Sequence, residues 1–337
     1  MGFRNSDDSV IDFLGPVESR HQQGDKGSEM TTYPREEIEA AFAEFRRRGV
    51  ETHDWSAWAE LFTEDALYEE HNLGVFNGRE QIQKWIIECM ADYPTMTLWI
   101  EWYMIEGNRV SFYIWNNLPD PTGTGKRFGF PNTTFLEYAG DGKFSFEGDY
   151  YNPEDAGRVF VDWIKSGGTR ETPQDRSLEG IEGWAPPVPE PAFSREEIEE
   201  EFEKYRKRGE VAVATGDWNQ WADQFTDGAQ YREHHYGYFK SQTEIRDWIN
   251  GVMQPFPTME FPVSYKIIEG NRVSALIPNI LPAPEGDDGY YGFDVNTILH
   301  YAGNGKWSYE EDVYSPAEAG AVIGRWIAAG GVIPSGE

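Results

Sequence analysis

Two four-residue runs gather side chains able to do acid–base chemistry: Tyr68-Glu69-Glu70-His71 and Tyr231-Arg232-Glu233-His234. A carboxylate set in an apolar wall has its charged form disfavoured, which moves its pKa toward that of a working general base. An imidazole titrates near neutrality without help. In a strand, residues two apart share a face, so Tyr68 points with Glu70 and Tyr231 with Glu233. His71 and His234 then point the other way unless the strand end twists or bulges, and each could equally cap that end at a pocket rim. Asn116 and Asn279, with the two tyrosines, could donate to a developing oxyanion. Asp149 and Asp312 add a second pair of carboxylates, for which a solvated strand face is the competing explanation. Groups of this kind supply roughly 10²–10⁴ in rate, enough for proton transfer beside a carbonyl or loss of water.

Other chemistries fit less well. A metal set built on Glu70 and His71 would need His53 or His235, whose spacings match no ligand pattern, so neither metal nor cofactor is expected. Gly123-x-Gly125 falls in a hairpin rather than between strand and helix, so it does not read as a phosphate loop. With Cys89 the only cysteine, no intramolecular disulfide is possible.

These residues occur in pairs because the chain repeats itself. Asp54–Gly157 aligns without a gap to Asp217–Gly320, with 48 of 104 positions identical. Each copy opens with an amphipathic helix (Arg35–Arg48 in the first). A helix with Asp54 as its N-cap candidate follows, then a strand at Ala66–His71 and a helix at Arg79–Met90. Long strands are predicted at Thr97–Glu106, Arg109–Leu118, Arg127–Tyr138 and Lys143–Tyr151, with Gly107-Asn108 and Gly140-Asp141-Gly142 as turns. Helices before antiparallel strands give an α+β class.

Comparing the copies separates two strand faces. Ala66, Tyr68 and Glu70 recur as Ala229, Tyr231 and Glu233, while Leu67 and Glu69 become Gln230 and Arg232. Val110, Ile114, Asn116 and Leu118 recur, while Tyr113, Trp115 and Asn117 become Leu276, Pro278 and Ile280. Ser111, kept as Ser274, departs from that rule. Ser145, Glu147, Asp149 and Tyr151 recur while Phe146, Gly148 and Tyr150 change. The retained face is expected to hold core and site, and the drifting face to meet water.

The chain has 29 Lys+Arg against 59 Asp+Glu, a formal charge of −30. That surface repels phosphate backbones and anionic lipid, so no nucleic-acid or membrane partner is expected. No apolar run is long enough for a membrane span and no basic-then-apolar leader opens the chain, so a cytoplasmic location is expected.

The run Asp65-Ala66-Leu67-Tyr68-Glu69-Glu70-His71, with Gly74, Gly78, Ile82 and Trp85 after it and Trp55-x-x-Trp58-x-x-x-Phe62 before it, resembles the SnoaL-like branch of the nuclear-transport-factor-2-like superfamily. The second copy repeats the pattern from Trp218 to Gly237. The resemblance implies two tandem cone-shaped half-barrels, each of three helices on a curved, mainly antiparallel sheet. It also implies Glu70 and Glu233 as the carboxylates corresponding to the general base of ketosteroid-isomerase-like members. The acid partners depart from that pattern: Phe45 stands where the second copy has Tyr205, and Thr134 and Thr297 fall where an Asp would.

The expected organisation is an arm at 1–32, a first domain at 33–165, a Pro/Gly-rich linker at 166–191 and a second domain at 192–331. The two domains are expected to pair as an intramolecular pseudo-dimer, with further self-association left open. The expected function is a cofactor-independent lyase (dehydratase-like) or isomerase acting on a neutral, apolar, oxygenated ring compound. The alternative is a non-catalytic small-molecule-binding or protein-interaction module.

Overall fold

The computed structural model describes residues 32–180 and 183–334, so all but the last residue of the arm expected at 1–32 lies outside them. The first repeat runs α1 (Arg35–Phe45), α2 (Trp55–Ala59), β1 (Phe62–Glu70), β2 (Gly74–Asn77), α3 (Arg79–Met90), β3 (Thr97–Glu106), β4 (Arg109–Leu118), β5 (Phe128–Gly140), β6 (Lys143–Tyr150) and α4 (Pro153–Lys165). The second runs α5 (Arg195–Thr215), α6 (Asn219–Ala222), β7 (Phe225–Glu233), β8 (Gly237–Phe239), α7 (Gln242–Val252), β9 (Tyr265–Glu269), β10 (Arg272–Leu276), β11 (Asn279–Leu281), β12 (Tyr291–Phe293), β13 (Asn296–Tyr301), β14 (Trp307–Val313) and α8 (Pro316–Ala328). Each repeat is thus α+β, with a fourth helix, α4 or α8, beyond the three expected.

Local chemistry accounts for the element ends. The Asp54 carboxylate accepts from the Ala57 amide and starts α2. Asn152 and Ser315 cap α4 and α8, each followed by Pro at the first helical position, where its missing N–H costs nothing. The last turn of the first helix relaxes into a π-helical stretch, Arg46–Glu51. Gly49 lies there because a Cβ would sit 2.8 Å from Trp58 Cδ1.

The sheets have the orders β2-β1-β6-β5-β4-β3 and β8-β7-β14-β13-β10-β9. In each, the first long strand lies parallel to the last and all other pairs are antiparallel. The second sheet is interrupted where the first is continuous. Pro278 replaces Trp115 between β10 and β11, and a proline removes a ladder donor. β11 and β12 therefore form a separate two-stranded piece.

Both faces of each sheet are buried, which corrects the expectation that the drifting face meets water. One face packs on its own helices, with Ile38, Phe42, Trp58, Ala66, Tyr68 and Val110 in the first core. The other packs against the opposite sheet: Met104, Tyr113, Trp115, Phe135 and Tyr150 meet Ile267, Leu276, Ile298 and Val313. The contact is isologous, each residue meeting its partner's counterpart. Arg35 bonds Glu269 while Arg195 bonds Glu106. Arg109 stacks on Tyr265 at 4.7 Å while Arg272 stacks on Trp102 at 4.3 Å. Ser111 Oγ lies 2.8 Å from Ser274 Oγ, a residue meeting its own counterpart, and so marks the pseudo-twofold axis. That position explains why Ser111 is retained on a face that otherwise drifts.

The segment between the repeats is tied down. Thr97 Oγ1 donates to the Asp175 carbonyl at 3.1 Å, and Asn271 Nδ2 donates to the carbonyls of Pro189 and Pro191. Trp184 enters the junction against Trp115, with ring centroids 4.7 Å apart. Among the described residues no helix is long and apolar enough to cross a membrane.

Candidate active site

The inner face of the second sheet, with α5, α7 and α8, encloses a cavity of about 260 Å³. Its wall is largely apolar, with Trp218, Trp221, Trp248, Phe261, Phe293 and Ile277 among the lining residues. Three carboxylates face it: Glu233 at the end of β7, and Glu310 and Asp312 two apart on β14. Period-two alternation sets the last two on one face, and the parallel register brings Tyr231 opposite Glu310 and Glu233 opposite Asp312.

Each carboxylate has its own environment. Asp312 accepts from Tyr231 Oη at 2.5 Å and from Thr297 Oγ1 at 2.6 Å. Burial pushes its pKa up to about 6 against the pull of those two hydroxyls. Glu310 is 1% exposed and accepts from Tyr205 Oη at 2.7 Å, while its Oε2 is buried without a hydrogen-bond partner. Burial, reinforced by the nearby Asp312 charge, holds Glu310 well above the usual carboxyl range. Two neighbouring carboxyl groups with separated proton affinities make an acid and a base available at neutral pH.

Glu233 is otherwise engaged. Its Oε2 accepts from the amides of His235 and Tyr236 and so closes the turn after β7. Glu70 does the same for Asn72 and Leu73. Both are buried, and the Oε2 of each is already spent on backbone amides. Burial, countered by hydrogen bonds including one from Tyr151, raises Glu70.

The remaining predicted residues divide by face. Tyr68, Asp149 and Thr134 reproduce the Tyr231, Asp312 and Thr297 cluster: both hydroxyls donate to Asp149. Asp149 and Glu147 are 8% and 3% exposed, so the solvated-face reading of that strand is replaced by a buried one. Asn279 lines the cavity, and Asn116 takes the matching place on β4. His71 and His234 lie on the opposite face, in the junction between repeats, because they follow Glu70 and Glu233 in an extended backbone. His71 Nδ1 is 3.1 Å from Glu318 Oε2, and His234 Nε2 is 2.7 Å from Glu311 Oε1. Burial lowers the His71 pKa, but the Glu318 carboxylate outweighs it and raises it to about 9. Glu311 also accepts from Tyr113 and Tyr309. Burial pushes its pKa up, but His234, Arg232 and the Tyr309 hydroxyl outweigh it and hold it below the ordinary carboxyl value.

Residues 38–146 match the family model of the SnoaL-like domain. The first repeat is a SnoaL-like domain. No curated protein matches the chain. Among solved structures, the chain is similar to a hypothetical protein with a ketosteroid isomerase-like fold from Catenulispora acidiphila (23% identity, 40% of this chain, 95% of that one, TM-score 0.30). It is also similar to a putative SnoaL-like polyketide cyclase from Jannaschia sp. (18% identity, 35% and 90%, TM-score 0.29). A third is an epoxide hydrolase from M. tuberculosis described as LEH-like (16% identity, 39% and 89%, TM-score 0.31).

The two repeats differ where the cavity opens. In the first, Phe160 packs on Tyr93 and Phe130, with centroids 4.8 and 5.7 Å away. Its counterpart Ile323 lines the cavity, as do His235 and Tyr236 in place of Asn72 and Leu73. Tyr205, Glu310 and Tyr314 were not among the predicted site residues. For Glu310 a signal existed in its retention as Glu147. For Tyr205 the signal was its place in the opening helix, where the resemblance implies an acid partner, offset by Phe45 in the first repeat.

Proposed function

We propose that the second repeat is a cofactor-independent acid–base site for a neutral, apolar, oxygenated ring compound, with Asp312 as general base and Glu310 as proton donor. The observation that carries this reading is the pairing of two buried carboxyl groups, Asp312 and Glu310, on one wall of an aromatic cavity, with burial raising both and holding Glu310 well above the usual carboxyl range. Trp218, Trp221 and Trp248 supply flat apolar surface, and a cavity walled by buried carboxylates disfavours an anionic ligand. A carbonyl oxygen placed at Glu310 accepts its proton as a hydrogen bond while Asp312 removes a proton from the adjacent carbon. The enolate so formed, with Glu310 still holding its proton, has two outcomes. Asp312 returns its proton at a different carbon, giving isomerisation, or a β-hydroxyl leaves as water with a proton from Glu310, giving dehydration. Tyr231 and Thr297 hold Asp312 in place throughout. On this reading the first repeat, with Phe45 and Phe160 at the corresponding places, is the scaffold half.

The test is a thermal-shift screen of neutral ring ketones, hydroxyketones and epoxides, with mass spectrometry of every stabilising mixture. Turnover that falls about 10²–10⁴-fold in Asp312→Asn and Glu310→Gln, but not in Asp149→Asn, supports the assignment. Stabilisation with no product from any compound favours the alternative, a binding module. Equal loss from Asp149→Asn would move the site to both repeats.

A further inference from the structure

A second cluster of titratable side chains lies outside the cavity, at the junction of the repeats. Glu69 and His71 come from the outer face at the end of β1, and Asp294 from the link between β12 and β13 of the other repeat. Each offers one ligand atom, and the three atoms all lie within 4.8 Å of one another. Asp294 is 7% exposed and the His71 side chain 10% exposed. His71 Nδ1 is bonded to Glu318, and its Nε2 is buried with no hydrogen-bond partner. A carboxylate on one imidazole nitrogen fixes the ring and leaves a lone pair on the other, which is how metal-ligating histidines are held. Tyr150, stacked on His71 with centroids 4.5 Å apart, also has a buried hydroxyl without a partner, as does Tyr265 across the junction. Buried polar atoms are rarely left orphaned, and three in one neighbourhood call for an explanation.

We propose that Glu69, His71 and Asp294 bind a divalent transition-metal ion that bridges the two repeats. An imidazolium among carboxylates would balance the charge, yet it would leave the Nε2 proton and both hydroxyls unsatisfied. A metal ion uses the Nε2 lone pair and carries water that can reach the hydroxyls. One nitrogen and two carboxylate oxygens suit zinc, manganese or cobalt better than calcium, which takes oxygen ligands. Bonds of about 2.0–2.2 Å set ligand atoms roughly 3–4 Å apart, so only small side-chain rotations close the set. The pseudo-symmetric position supports the same reading. There Arg232 replaces Glu69 and Pro131 stands opposite Asp294, so a built-in cation lies beside His234 and Glu311 where the first site offers a third carboxylate.

The test is titration of the full-length, EDTA-treated protein with Co²⁺, followed by visible absorption, with Zn²⁺ as competitor. One saturable equivalent is expected, weakened about tenfold or more in His71→Gln and in Asp294→Asn, and unchanged in Asp312→Asn. Circular dichroism checks that each variant folds. Glu69→Gln, at a half-buried position, serves if the other two do not, and should weaken binding likewise. Absence of a saturable spectrum, or one indifferent to all three substitutions, overturns the proposal, since a surface of net charge −30 can collect cations without a site.

Discussion

Asp312 shows how one carboxyl can oppose folding while serving a site. In the folded chain it keeps its proton up to about pH 6, whereas its ordinary value is 3.8. Between those values the folded state holds more protons than the unfolded one, so stability falls as pH rises through this window. The resulting cost at neutral pH is on the order of 3 kcal/mol. Asp312→Asn is therefore expected to raise the unfolding free energy at pH 7 by about 1–3 kcal/mol, the loss of charged hydrogen bonds offsetting part of the gain. Near pH 4 the difference should shrink toward zero; urea unfolding at both pH values measures it. How far such residues can be read from sequence depends on what the repeat preserves. Asp312 is legible because Tyr231, Thr297 and Asp312 recur as Tyr68, Thr134 and Asp149. The turn-closing duty of Glu70 and Glu233 is not, because it depends on two backbone amides rather than on any side-chain pattern.

Helices α4 and α8 do different work from the same position in each repeat. Asn152 Oδ1 accepts from the Glu154 amide at 2.8 Å to start α4, and its Nδ2 donates to the His234 carbonyl of the other repeat at 2.6 Å. It is 2% exposed, so Asn152→Ala removes a cap and strands a buried carbonyl. A loss of about 2–4 kcal/mol is expected, against about 1 kcal/mol for Ser315→Ala, whose hydroxyl accepts from the Glu318 amide as a cap. Denaturant titration of the two variants side by side checks the difference. On α8, Ile323→Phe places at the cavity the side chain that the first repeat has in Phe160. Ligand binding is expected to weaken at least about tenfold with the fold intact, because an added ring occupies volume a ligand needs. Calorimetry with any compound found by the thermal screen reads this out. The β3 to β6 strands were readable from alternation and turn glycines. The break between β10 and β11 was foreshadowed only by Pro278.

At the scale of the whole molecule, the pairing of sheets hides what the two copies no longer share. The drifting positions read as solvent-facing in the sequence because variation usually marks solvent. Here it marks a contact whose two sides have been free to differ. Residues 33–165 or 192–334 expressed alone would bare the Tyr113–Trp115 or Leu276–Val313 side of that contact. Each half is expected to associate or aggregate, and an equimolar mixture to recover a 1:1 complex, as size-exclusion chromatography with light scattering would report. Two identical second halves would make a poor pair. Glu311 takes a hydrogen bond from Tyr113, but the equivalent residue of its own kind is Leu276, which has none to give. Glycine at 148 faces no such demand, and it sits where a second glutamate would otherwise be buried. Joining the copies in one chain thus acts as a ratchet: with Glu311 fitted to a neighbour unlike its own kind, the second half no longer carries a surface suited to a self-paired subunit.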